Sequence, residues 1–242
     1  NFGSDIAVGD VNGDGYDDII VGAPYADSSS LFNIDEGAVY IIYGQSSLKT
    51  TELYESPDYG TTIQFFADYS GLEDSEYGDS VAVGDFNGDG FDDIASSLNE
   101  YGVVPGAGIV GISLGKTNGS LKIDIAISGM AEGTELGDNR GSLQNLGDVN
   151  GDGYDDLGMK DTDGRFFILW GKENWGVNFD YYDEDGVNDV YLIDLSVSSN
   201  IDGNYISGSQ IIPYGGSFEF KGVGDVNGDG YADFLISTPY EG

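Results

Sequence analysis

Short apolar runs alternate with strings of Asp, Asn and Gly along the whole chain. Ser4-Asp5-Ile6-Ala7-Val8 precedes the first such string and Asp18-Ile19-Ile20-Val21 follows it. Brief apolar runs rich in β-branched residues and bounded by turn formers predict strands, here a strand A before the string and a strand B after it. A third run is framed by glycines: Gly37 to Gly44, Gly108 to Gly115 and Gly164 to Gly171, each with a β-branched or aromatic stretch inside. These predict a buried strand C. A looser strand D is expected near Thr62 to Phe66, Ile123 to Ile127 and Tyr205 to Ser207. The chain therefore reads as all-β, with four strands to a repeat.

The polar string is nine residues long and keeps one pattern each time. Asp10-Val11-Asn12-Gly13-Asp14-Gly15-Tyr16-Asp17-Asp18 returns at Asp85 to Asp93, Asp148 to Asp156 and Asp225 to Asp233. Oxygen side chains stand at positions 1, 3, 5 and 9, and Gly stands at 4 and 6. Calcium takes six to eight oxygen ligands at about 2.3–2.6 Å. Asp10, Asn12, Asp14 and Asp18 supply such oxygens in the first copy, with the carbonyl of Tyr16 adding one. Asn-Gly and Asp-Gly also make plain hairpin turns. A turn, however, does not need Asp at positions 1, 5 and 9 four times over. An EF-hand is excluded, because its position 12 is a bidentate Glu. Here position 12 is Val21, Ser96, Met159 and Ile236, and strands rather than helices flank the loop. Since each loop closes within nine residues, the four sites are expected to bind independently.

Charge sharpens this picture. The 44 acidic residues outnumber 8 basic ones, for a net charge of −36. The four loops hold about a third of the acids, and the rest predict a solvated acidic surface. Such a field opposes nucleic acid phosphates and anionic membranes. With no Cys and no His, disulfides, thiolate chemistry and a His general base are excluded. There is no apolar run of 18 residues, so no membrane span is expected. The chain starts at Asn1 without Met or a signal peptide, which reads as a mature or excerpted piece of a longer precursor.

The first Asp of each loop stands 75, 63 and 77 residues from the next. That spacing fits a propeller-like array with one four-stranded sheet per repeat. The blades fall at about residues 1–70, 71–133, 134–210 and 211–242 of one propeller segment. The fourth stops after strand B, so about three and a half blades are present. The chain is not expected to close a ring alone, and the missing strands are expected from the rest of a longer chain or a neighbouring subunit. A long excursion follows Trp170. It holds Asp183, Asp185 and Asp189, a partial copy of the loop with Tyr181 in place of its first Asp.

Phe2-Gly3, the Asp10 to Asp18 loop and Gly22-Ala23-Pro24 together resemble FG-GAP repeats, the blades of the integrin α-subunit β-propeller and of many bacterial surface and secreted proteins. The resemblance implies a propeller, of seven blades in the intact protein, whose innermost strand leads into a calcium-bearing A–B hairpin. It carries four Ca2+ sites onto this chain: Asp10, Asn12, Asp14, Tyr16 and Asp18; Asp85, Asn87, Asp89, Phe91 and Asp93; Asp148, Asn150, Asp152, Tyr154 and Asp156; Asp225, Asn227, Asp229, Tyr231 and Asp233. The position 7 residue of each set offers its carbonyl. Asp17, Asp92 and Asp155 at position 8 are left out, because strand alternation points them away from position 9. The lack of Cys departs from animal integrins and favours a bacterial or similar protein.

Function follows as three expectations. The first is a calcium-binding adhesion or protein-interaction module, extracellular or on a cell surface, with a protein or glycan ligand on a propeller face. The second is a structural subunit of a calcium-dependent filament, sheath or surface layer. The third is a carbohydrate-binding or polysaccharide-processing propeller, with Trp170, Trp175, Tyr181 and Tyr182 able to stack on sugars. No carboxylate pair stands apart from the calcium set as an acid/base couple, so the chain is not expected to be an enzyme.

Overall fold

The structure is a computed structural model and describes residues 2–26, 37–46, 63–66, 76–98, 105–117, 122–175, 191–194, 206–211 and 218–237. Every regular element among them is a strand. The first sheet orders β1 (Ile6–Gly9), β2 (Asp18–Gly22), β3 (Val39–Ile42) and β4 (Ile63–Phe66) side by side. The second contains β5 (Val81–Gly84), β6 (Asp93–Leu98), β7 (Ile109–Ser113) and β8 (Ile125–Ser128). The third contains β9 (Leu143–Gly147), β10 (Asp156–Lys160), β11 (Arg165–Leu169) and β13 (Ile206–Ile211). The fourth is the hairpin of β14 (Glu219–Gly224) and β15 (Asp233–Ser237). These are the strands A to D that the apolar runs predict.

Register explains why the polar string sits where it does. In every first hairpin the glycine before position 1 pairs with the Asp at position 9. The pairs are Gly9 with Asp18, Gly84 with Asp93, Gly147 with Asp156 and Gly224 with Asp233. The first eight residues of the string are thus the whole A–B connection, and the ninth opens strand B. The four innermost strands stand in a row, β1 beside β5, β5 beside β9 and β9 beside β14. Sheets radiating from adjacent first strands are the blades of a β-propeller.

Burial follows position in that row. The second sheet is covered on both faces, and β5 to β8 are buried throughout. Strands covered on both faces read as continuous apolar runs rather than alternating ones. Val39, Ile41, Val83 and Ile94 fill the space between the first and second sheets. Ile112, Leu143, Leu157 and Phe167 fill that between the second and third. Phe166, Phe218 and Phe220 meet edge to face or tilted between the third and fourth, with Phe166 and Phe220 centroids 4.7 Å apart.

One strand lies outside the repeat pattern. β12 (Tyr191–Asp194), within the excursion assigned to the third repeat, pairs in parallel with β8 and gives the second sheet a fifth strand. The edge of β8 offers unpaired backbone groups, and an apolar segment from elsewhere in the chain can take them. Nothing local to Tyr191-Leu192-Ile193 announces which edge that is.

Candidate metal centre

Each loop is shaped by its first Asp. The Asp10 carboxylate accepts from the backbone N–H of Gly13 at 2.7 Å, Asp14 at 3.1 Å and Gly15 at 2.8 Å. Asp85, Asp148 and Asp225 repeat this with their own positions 4, 5 and 6. Asp14, Asp89, Asp152 and Asp229 each accept from the N–H of the aromatic residue two places on. In the first three loops the position 3 amides, of Asn12, Asn87 and Asn150, bond the position 5 carboxylates. The ninth residue ties the loop to the blade. Asp18 accepts from Val11 and from Gly44, the glycine that ends strand C. Asp93 does the same with Phe86 and Gly115, and Asp156 with Val149 and Gly171. Asp233 accepts from Val226.

The position 9 carboxylates of the first three loops are wholly buried. Burial raises the pKa of all three, and the like charges at positions 1 and 5 raise it further. Asp93 is pushed up to about 8 and Asp156 to about 6, while Asp18 rises in the same direction. A buried carboxylate facing two others is an arrangement that a divalent cation relieves.

An ionised carboxylate offers about four acceptor directions. Asp10 uses three on backbone N–H groups, while Asp14 and Asp18 use two each. Each loop thus keeps free oxygen lone pairs from three carboxylates, which fits a hard, oxygen-seeking ion. Among the described residues, no three acidic side chains converge around one point as a finished ligand cage. The carboxylates are turned towards backbone N–H groups instead.

Position 8, set aside in the sequence reading, has a clear place. The Asp92 carboxylate of the second loop accepts from the N–H of Asp10, the first residue of the loop before it, at 2.8 Å. Asp155 does the same for Asp85 at 3.3 Å. The backbone adds a second link, since the N–H groups of Asp92, Asp155 and Ala232 donate to the carbonyls of Asp10, Asp85 and Asp148. The position 7 ring adds a third. A Cβ on Gly13 would stand 2.2 Å from Phe91, one on Gly88 2.5 Å from Tyr154, and one on Gly151 2.4 Å from Tyr231. The signal was present in the sequence as the glycine before every loop. A Cβ on Gly9 would fall 2.4 Å from the Asp92 carboxylate, and one on Gly84 2.8 Å from that of Asp155.

The sugar-stacking candidates fare differently. Trp175 is buried beneath Lys172, whose ammonium lies 5.2 Å from its ring centre, so it offers no platform. Trp170 is half-buried at the end of β11. Tyr181, Tyr182 and the partial loop at Asp183 to Asp189 lie outside the described residues.

The FG-GAP repeat family matches residues 2–42, 77–110 and 222–242, which covers the first and second loops and the fourth. The third, with its Arg140-Gly141 start, lies outside the match. Integrin alpha-4 of Xenopus laevis is 30% identical over 163 residues, which is 65% of this chain and 14% of that protein. Integrin alpha-IIb of Mus musculus is 34% identical over 164 residues, 64% of this chain and 14% of that protein. Integrin alpha-5 of Xenopus laevis is 26% identical along 98% of this chain and 20% of its own length. The chain spans a fifth or less of each of these relatives. It carries FG-GAP repeats, folded as blades of a β-propeller, and is similar in them to the integrin alpha subunits.

Proposed function

We propose that this chain is a calcium-binding propeller segment that works outside the cell or at its surface as an adhesion and protein-interaction module. The observation that carries the reading is one donor arrangement built four times on a row of touching loops. Calcium would be held in each by the side chains at positions 1, 3, 5 and 9 and the carbonyl at 7, from Asp10 to Asp18 in the first loop and likewise in the others. When bound, the ion supplies positive charge to three mutually repelling carboxylates and joins strand A to strand B. Millimolar extracellular calcium suits loops of this exposure. The kinship with integrin alpha subunits supports an adhesive role, and loops on a rigid scaffold are natural docking surfaces. The acidic surface favours a basic protein or a glycan bridged by the ions.

Thermal melts test the calcium half of this reading. A ligand that binds only the folded state adds about 2.7 kcal/mol per site at a hundredfold excess over Kd. Four sites are expected to raise the melting temperature strongly in millimolar calcium relative to excess EDTA, and magnesium serves as a control. Overlapping melts overturn calcium binding.

A second reading, a structural subunit of a calcium-dependent assembly, has one observation in its favour. Ile6 and Val8 on β1 and Leu235 and Ile236 on β15 are exposed, and a blade of the same chain or of a neighbouring subunit would cover them. Light scattering with and without calcium separates the two readings, since a single species under both conditions leaves adhesion alone.

A further inference from the structure

The four loops are joined to one another, and where position 8 is Asp its carboxylate adds a bond to the joint. We propose that Asp92 and Asp155 are positioning residues that make the first and second calcium sites depend on the blade that follows them. The inference rests on the calcium reading above.

The argument starts from what position 1 must do. Asp10 sits at the start of its loop and shapes it by accepting three N–H groups. Its own backbone is held from outside, since its N–H donates to the Asp92 carboxylate at 2.8 Å and its carbonyl accepts from the Asp92 N–H at 3.1 Å. One residue of the next blade therefore grips both sides of the first ligand's backbone. Phe91 beside it covers Gly13, and the N–H of Lys116 reaches the carbonyl of Val11. The second junction repeats every part. Asp155 grips Asp85, Tyr154 covers Gly88, and the N–H of Lys172 reaches the carbonyl of Phe86. There Asn145 also donates to the Asp155 carboxylate at 2.8 Å, holding it in place.

The third junction is a natural deletion. Ala232 keeps the backbone bond to Asp148 at 2.8 Å but brings no carboxylate. The first loop supplies the matching control. Its own position 8 residue, Asp17, is exposed and clamps no loop among the described residues. A charge-assisted hydrogen bond to a ligand's backbone fixes the angle at which its carboxylate enters the loop. Its loss is felt in the affinity of the clamped loop, not only in the loop that owns the residue.

The test is a calcium titration of the 15N-labelled chain followed by NMR. The amides of Gly15, Gly90, Gly153 and Gly230 each donate to the first Asp of their own loop, so each reports one site. Asp92→Ala is expected to raise the calcium concentration at half-shift for Gly15 about tenfold, the scale of one charge-assisted hydrogen bond, and to leave Gly153 unmoved. Asp92→Asn keeps an acceptor oxygen and is expected to hold Gly15 within about twofold of the parent. Asp17→Ala measures what position 8 does to its own loop and is expected to leave Gly90 unmoved.

Ala232→Asp supplies the missing clamp and is expected to lower the Gly153 midpoint several-fold. That variant decides the matter alone if Asp92→Ala does not fold. Unchanged midpoints at Gly15 in Asp92→Ala, or at Gly153 in Ala232→Asp, overturn the coupling while the calcium reading stands. Glycine amides that ignore calcium in the parent chain overturn the calcium reading, and the coupling with it.

Discussion

Two glycines in one loop offer a direct measure of how firmly the blades are locked. Gly88 and Gly90 both have left-handed backbones, with φ of 73° and 88°. An alanine at either position meets the same backbone penalty, about 1–2 kcal/mol for a Cβ in that conformation. Their surroundings differ. A Cβ on Gly90 has open space, whereas one on Gly88 would sit 2.5 Å from the Tyr154 ring of the next blade. That ring is half-buried and can swing outwards, but it then leaves the loop it covers. Crowding of this kind costs about 1–3 kcal/mol. Gly90→Ala is therefore expected to cost about 1–2 kcal/mol and Gly88→Ala about 2–5 kcal/mol.

In a chain of this size each kcal/mol lowers the melting temperature by about 2–4 °C. Calorimetry at one fixed calcium concentration measures the difference, since changing the ligand would itself move the transition. Tyr154→Ala combined with Gly88→Ala completes a double-mutant cycle and is expected to recover most of the excess at Gly88. Equal losses at the two glycines, or no recovery in the double variant, refute the idea that the aromatic ring locks adjacent loops.

Two further changes probe the third blade. The Arg165 guanidinium bonds the buried Asp161 carboxylate at 2.9 Å, so Arg165→Met strands a buried charge and is expected to cost about 3 kcal/mol in a denaturant titration; a loss under about 0.5 kcal/mol contradicts it. Burial pushes the Lys172 ammonium down from 10.5 to about 8. Between those values the unfolded chain binds more protons than the folded one, so stability contributed at this residue rises with pH across that window. Lys172→Met is expected to flatten the rise in melting temperature between pH 8 and pH 10 relative to the parent, and parallel pH profiles would show that Lys172 is not held this way.

Much of this molecule is written in stretches shorter than ten residues. Strands A, B and C follow from apolar runs bounded by Gly and Asp, and each loop follows from a nine-residue spacing of oxygen side chains. The sequence places strand D of the third repeat near Tyr205 to Ser207, and β13 runs on to Ile211. The FG-GAP resemblance was legible from Phe2-Gly3, the first loop and Gly22-Ala23-Pro24 because those residues lie within one hairpin and its ends. These features are local. Turn geometry, strand alternation and the choice of hard oxygen ligands depend on neighbours along the chain, so the order of residues is enough to specify them.

What tertiary structure decided depends on residues far apart in sequence. Asp92 looked like a spare carboxylate pointing away from its own loop, and it does point away, to a residue 82 positions earlier. Asp18, Asp93 and Asp156 look alike in sequence with their half-buried partners at position 1 and exposed partners at position 5, but packing of the blade removes them from water and that burial raises their pKa. The sheet that receives β12 is set by an open edge on β8, not by anything in Tyr191–Asp194 itself. Gly9 and Gly84 leave room for the carboxylate of the next blade, which lies beside them only in the folded chain. In each case the local sequence specifies the side chain and its reach, while its partner or its cover comes from strands distant along the chain, in the same blade or the next, a contact that no short window of residues contains.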